Sequence, residues 1–220
     1  MKQTRMVEAK HWRKLEDGKV ACGLCPHLCR IPEGGSGICR ARVNRGGTLY
    51  ADNFAECVSV AMDPIEKKPL YHVCPGRKVL SVASNACNLR CDFCQNWSIS
   101  QDSAPTRAIP PDELVSLAEG SRSFGIAYTY TEPLVWYEYL LETGKLAHEH
   151  GLKNILVTNG TINAEPLDEL LPVIDAMNVD LKAMKPEFYT EYCHIDALDA
   201  VLHTIREAAE RCHVEVTNLV

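Results

Sequence analysis

Three cysteines, Cys87, Cys91 and Cys94, stand at a C-x3-C-x2-C spacing in Cys87-Asn88-Leu89-Arg90-Cys91-Asp92-Phe93-Cys94. Soft thiolates this close in sequence suit zinc or an iron–sulfur cluster rather than a hard cation. A closed structural site takes four protein ligands, so three leave one metal position for something that is not protein. A second set, Cys22, Cys25, Cys29 and Cys39, follows C-x2-C-x3-C-x9-C, with Gly34, Gly35 and Gly37 letting the backbone double back. Four thiolates there would hold zinc or a second iron–sulfur cluster. His27 could replace one of them as a ligand, and the bland alternative is a group of buried thiols.

The elements that must position the first set follow from periodicity. Residues 79–83 form a short apolar run rich in β-branched residues, a buried strand ending just before Cys87. Further strands are expected over 126–130, 154–158, 177–182 and 214–219. Helices are expected from Pro110-Pro111, along the stripe 136–147, around 167–171, over 188–193 and over 198–211. Repeated strand–helix units imply an α/β fold with parallel strands and right-handed crossovers. Function in such folds gathers at the C-terminal ends of the strands. That rim carries the cysteine loop, Glu132, Thr158-Asn159-Gly160, and Asp180 with Lys182, which share a face two residues apart.

Upstream, residues 1–19 read as a polar lead-in with a helix over 7–15. Arg45-Gly46-Gly47 marks a hairpin turn between Val43 and Leu49-Tyr50, and 57–60 reads as another strand. Residues 62–72, with two prolines and four charges, read as an ordered loop, either a lid over the mouth of the strand array or a linker crossing its bottom. The expected division is a Cys-rich metal knuckle and hairpin over 1–75 and a strand–helix core over 76–220.

Composition narrows the function classes. The 220 residues are 46% hydrophobic and carry a formal charge of −6, which gives no electrostatic reason for nucleic acid or an anionic membrane as partner. No apolar run is long enough to span a bilayer, and the first 19 residues lack a signal-peptide core, so the cytoplasm is the expected location. Eleven cysteines, an odd number in tight clusters, fit metal binding in a reducing compartment better than disulfides. Cys57 and Cys74 stand alone as packing thiols, and His11 and His72 have no partner at ligand spacing. His148 and His150 lie on a helix away from the rim, and Asp168 and Glu169 read as exposed.

The C-x3-C-x2-C motif with Phe93 before its last cysteine resembles the signature of radical S-adenosylmethionine (SAM) enzymes. Cys22-x2-Cys25-Pro26-His27-x-Cys29, the segment from Asp63 to His72, and Cys94-Gln95-Asn96-Trp97 together look like the AmmeMemoRadiSam-system enzymes, relatives of the pyruvate formate-lyase (glycyl-radical enzyme) activating enzymes. The resemblance implies a partial (β/α)6-type radical SAM barrel with about five parallel strands behind a small N-terminal Cys-rich segment. It implies a [4Fe-4S] cluster on Cys87, Cys91 and Cys94 whose remaining iron is chelated by SAM. The implied reaction is reductive cleavage of SAM to a 5′-deoxyadenosyl radical that abstracts hydrogen from a substrate.

The resemblance also assigns SAM contacts. Glu132 takes the place of the glutamate of a Gly-Gly-Glu motif that bonds the SAM amino group, with Tyr130 and Thr131 at the glycine positions. Thr158-Asn159-Gly160 resembles a triplet near the SAM ribose and carboxylate, with Val157 where the activating enzymes carry an aspartate. Asp180 and Lys182 resemble a pair that orients the carboxylate; Phe93 and Asn96 are expected beside the adenine, and Arg90 and Trp97 to tune or shield the cluster. Implied partners are an electron donor such as flavodoxin or ferredoxin and a protein substrate. The family's usual six strand–helix units point to a truncated chain or one half of a split protein. Two other classes compete: a non-catalytic zinc scaffold for partner binding, and an electron carrier, which leaves Glu132, Asp180 and Lys182 unexplained.

Overall fold

The computed structural model describes residues 5–218. Strands β1 (Val7–Glu8), β2 (Trp12–Lys14), β3 (Val20–Cys22), β4 (Arg30–Ile31), β5 (Arg42–Arg45), β6 (Thr48–Ala51) and β7 (Glu56–Cys57) make up the N-terminal region. They form two small antiparallel sheets, β1-β6-β5 and β2-β3-β4, while β7 pairs with the later strand β10 (Arg107–Ala108). The helix expected over 7–15 is absent from its described residues. Trp12 and Arg13 pair across to Cys22 and Ala21, and His11 sits at φ +54°, a conformation that interrupts a right-handed helix. The hairpin turn is as expected, with Gly46 and Gly47 at φ +64° and +74° joining β5 to β6.

A six-stranded sheet follows. Its order is β14-β13-β12-β11-β9-β8, built from β8 (Ser59–Pro64), β9 (Lys78–Ala83), β11 (Gly125–Tyr128), β12 (Lys153–Thr158), β13 (Ala176–Leu181) and β14 (His213–Asn218). β9, β11, β12, β13 and β14 run parallel; β8 adds antiparallel to β9 at one edge. This is the α/β array of five parallel strands that the strand–helix alternation implies. The helices are α1 (Trp97–Ser100), α2 (Pro111–Gly120), α3 (Tyr137–Glu149), α4 (Ala164–Leu170), α5 (Pro186–Phe188) and α6 (Leu198–Ala209), with a π-helical turn at Tyr189–Cys193. Among the described residues no helix is long and apolar enough to cross a membrane.

One face of the sheet packs Leu80, Val82, Ile126, Tyr128, Leu156 and Met177 against the helices. This core includes Trp136 and Tyr139 stacked with centroids 4.2 Å apart. The other face holds a smaller cluster in which Ile65 and Leu70 pack on Val79, Ala127, Ile155 and Ala176. Residues 65–72 therefore cross the N-terminal ends of the strands, and the lid alternative is overturned. Tyr71 and His72 donate backbone N–H groups to Glu215, and Asn178 donates to the Pro69 carbonyl. Met62 to Pro64, expected in the loop, belong to β8 because alternating residues of β9 offer them a paired edge.

Within this floor Lys68, fully buried, donates to Asp63 (2.8 Å), and its ammonium lies 4.3 Å from the centre of the Tyr130 ring. The Tyr130 hydroxyl also donates to Asp63. Burial alone would raise the Asp63 pKa, but bonds from Lys68, Tyr130, Lys67 and Ser81 hold it far below the usual carboxylate range.

Candidate active site

The C-terminal ends of the parallel strands enclose a cleft of about 320 Å³. Cys87, Cys91, Cys94, Phe93, Asn96, Glu132, Thr158, Asn159, Asp180 and Lys182 all line it. The cysteine loop leaves β9 and is fixed from three sides. Asn96 Nδ2 donates to the Tyr130 carbonyl (2.7 Å), Asn88 Nδ2 donates to the Thr161 carbonyl (2.8 Å), and the Arg90 and Asp92 amides bond carbonyls of the π-helical turn. The rings of Phe93 and Phe188 lie 5.8 Å apart, which seats Phe93 at the wall.

Glu132 is 1% exposed. Its Oε1 accepts from the Thr158 hydroxyl (2.7 Å) and the Leu134 amide (2.9 Å), and its Oε2 from the Asn159 amide (2.8 Å). The carboxylate caps the helical turn leading into α3 and fixes the end of β12. Among the described residues no basic side chain pairs with it. Burial pushes its pKa from 4.5 up to about 7 against the pull of those donors. Tyr130, at the place of a glycine in the resembled motif, keeps a left-handed φ of +71°, so the backbone turn survives the change of residue.

Asn159 Nδ2 approaches Cys87 Sγ (3.7 Å) and donates to Asn88 Oδ1 (3.0 Å), joining the Thr158-Asn159-Gly160 turn to the first thiol. Gly160 is required there: φ is +69° and an added Cβ would meet Val179 at 2.9 Å. Lys182 Nζ donates to Asp180 Oδ2 (2.7 Å). Burial lowers the Lys182 pKa, and Asp180 more than offsets this, so the ammonium is retained. Burial, reinforced by Glu132, holds the Cys87 thiol well above its usual range.

The cleft has members that periodicity did not single out. Thr129, Thr217, Leu89 and Gln95 also line it. Thr217 stands directly across from Asp180 in register, so aligning strand ends would have found it. Cys193 is buried beside Cys91 and donates to it, which with Lys182 nearby keeps the Cys91 pKa below its usual value in spite of burial. Only the folding back of 189–193 brings it there, and no spacing signals it. Two expectations fail. Trp97 is 61% exposed and Arg90 is exposed, and neither lines the cleft, so neither shields it. Glu169, read as exposed, is half-buried and accepts from His11 and the Tyr137 hydroxyl.

The second cysteine set also converges. Cys22, Cys25, Cys29 and Cys39 line one small pocket with Leu24, Leu28, Gly37, Ile38, Arg42 and Val135. His27 directs Nε2 to the Asn88 carbonyl (2.7 Å) and so faces the neighbouring loop. His72, without a partner at ligand spacing, meets His213 and Glu215. These are the only three His, Cys, Asp or Glu side chains among the described residues with donor atoms all within 4.8 Å.

Three thiols of one loop beside an open cleft fit a cluster with one exchangeable iron position, because among the described residues no fourth cysteine and no histidine lines the cleft. A buried carboxylate and an ammonium on the same wall fit a zwitterionic ligand. The family-model comparison agrees in class. The profile of the Radical SAM superfamily matches residues 81–220. The chain is 47% identical over 219 residues to the uncharacterised protein MJ0808 of Methanocaldococcus jannaschii, covering 98% of this chain and 65% of that one. It is 32% identical over 128 residues to a probable GTP 3′,8-cyclase of Thermococcus kodakarensis, covering 56% and 41% of the two. The crystal structure of Streptococcus suis SuiB bound to S-adenosylmethionine superposes with a TM-score of 0.48 at 15% identity, covering 63% of this chain and 34% of that one. The chain thus spans less than two thirds of the length of these curated relatives. It belongs to the radical SAM superfamily, whose members use a [4Fe-4S] cluster and S-adenosylmethionine.

Proposed function

We propose that this chain is the catalytic core of an enzyme of the AmmeMemoRadiSam type, related to the glycyl-radical activating enzymes, in which Cys87, Cys91 and Cys94 hold the cluster. A cluster held there would supply the electron for reductive cleavage of SAM, the chemistry that would let the enzyme take hydrogen from a substrate. The chain's own residues bind, orient and enclose. Glu132 fixes the Thr158-Asn159-Gly160 turn and keeps acceptor capacity on Oε2 for the SAM ammonium. Lys182, steered by Asp180, offers a counter-charge to the SAM carboxylate. Phe93 and Asn96 form the wall for the adenine, and Cys193 tunes Cys91.

The observation that carries this reading is the Glu132 carboxylate, 1% exposed and, among the described residues, bonded by neutral donors alone. A ligand arriving with an ammonium group supplies a cation to it. In this reading the cluster-binding core spans residues 76–220, with β8 (Ser59–Pro64) adding an edge strand to it, and the Cys-rich unit lies within 1–75. The setting is the cytoplasm, the electron donor is of flavodoxin or ferredoxin type, and the substrate is a partner protein. Anaerobic reconstitution with iron and sulfide, followed by a reductant and SAM, should give a brown protein that forms 5′-deoxyadenosine. A colourless product holding zinc on Cys87, Cys91 and Cys94 would return the chain to the scaffold class.

A further inference from the structure

The floor of the strand array carries side chains that the proposed activity does not use. His72 ends the segment that crosses under the sheet, while His213 and Glu215 stand two apart on β14 and so share a face. Glu215 Oε1 lies 3.1 Å from His213 Nε2, and its Oε2 lies 3.3 Å from His72 Nδ1. The three donor atoms all fall within 4.8 Å of one another.

The needs of the carboxylate alone do not explain this convergence. Glu215 already accepts the backbone N–H groups of Tyr71 (3.0 Å) and His72 (2.9 Å). Burial would raise its pKa, but those two amides, joined by the imidazoles, bring it down to about 2, so the group stays ionised. Outer donors of this kind are what orient a metal-ligating carboxylate. The imidazoles then add two ligand nitrogens to an anion that is already oriented.

The spacing suits one small ion. Zinc held at about 2.1 Å by imidazole nitrogen and carboxylate oxygen sets tetrahedral ligand atoms about 3.4 Å apart, close to both nitrogen–oxygen separations here. The two ring centroids are 6.4 Å apart, wider than the roughly 5 Å that shared tetrahedral ligation gives. Closing that difference falls to His72, whose side chain is 77% exposed and has the room to turn inward. Two imidazoles and one carboxylate are a donor set for zinc rather than for magnesium or calcium. We propose that His72, His213 and Glu215 bind a zinc ion, with one position left to water, as a clip that ties the segment under the array to edge strand β14. The site lies at the start of β14, at the opposite end of the strands from the cleft, and does not rest on the proposed function.

The test uses the full chain, anaerobically reconstituted with iron and sulfide, with zinc as the probe. The parent should retain one zinc per chain more than H72A/H213A, since the cysteines are common to both. His72→Ala and His213→Ala, each at a solvent-facing ring, should each weaken that zinc at least about tenfold. Zinc at about ten times its Kd should slow exchange of the Tyr71 and His72 amides about tenfold in the parent and leave it unchanged in H72A/H213A. Equal zinc in the parent and H72A/H213A, or full affinity after loss of either histidine, overturns the site. Zinc bound there with unchanged amide exchange overturns the clip.

Discussion

Two buried carboxylates, Glu132 and Glu138, six residues apart, are treated in opposite ways. Glu138 accepts from Arg42 at 2.7 Å, with both side chains nearly inaccessible, so its counter-charge belongs to the fold. Glu132 bonds only neutral donors and is pushed up to about 7 by burial. The first carboxylate belongs to the closed, four-thiol region; the second faces an open cleft with three thiols. The knuckle is complete within the chain, while the cleft is built to be completed by something it binds.

The largest effect that could break this contrast is at the ligands. Cys91→Ala should reduce 5′-deoxyadenosine formation to background and remove the iron of the cleft site, while any metal at Cys22, Cys25, Cys29 and Cys39 remains. Normal SAM cleavage by that variant would sink the ligand assignment. Next in size, Arg42→Ala strands Glu138 in the core and should cost about 3–5 kcal/mol in urea unfolding. The R42M/E138Q pair should lose far less, and equal losses would show that Glu138 does not depend on Arg42.

Glu132 sharpens the contrast through pH. Its folded pKa lies above its ordinary value, so the folded chain holds this proton more tightly than the unfolded chain does. That contribution is full below about 4.5 and disappears as pH rises through about 7, an effect of about 3 kcal/mol by linkage. Melting of the cluster-free protein across that window should show the loss in the parent and a flat profile for Glu132→Gln. Parallel profiles would mean that the carboxylate is already compensated. Smallest of all, Lys182→Met should weaken SAM binding about tenfold in calorimetry, equivalent to one charge contact of about 1.4 kcal/mol. Unchanged affinity would remove Lys182 from the ligand wall.

Much of the site was legible because strand ends are. A parallel array puts the residue after each apolar run at one rim, so Glu132, Thr158, Asn159, Asp180 and Lys182 could be placed together before any coordinates. Cys193 and Thr217 were not, since one reaches the cleft through a π-helical turn and the other through cross-strand register. The N-terminal region was harder. Its strands are two to four residues long, too short for a period to show, so residues 7–15 read as helix when they pair as strands. Residues 62–72 offered charges and prolines but no direction. Only the pairing of Asp63 with Val79 and the packing of Ile65 and Leu70 under the sheet put them at the floor.

Tyr130 reaches from the rim of the cleft to Asp63 and Lys68 beneath it. A wall residue anchored from below has already given up its rotamer freedom before any ligand arrives, so closing on a cosubstrate costs no ordering entropy there. The strap under the array and the mouth above it are thus linked through one side chain, so a substitution at Asp63 or Lys68 should loosen a pocket it never touches.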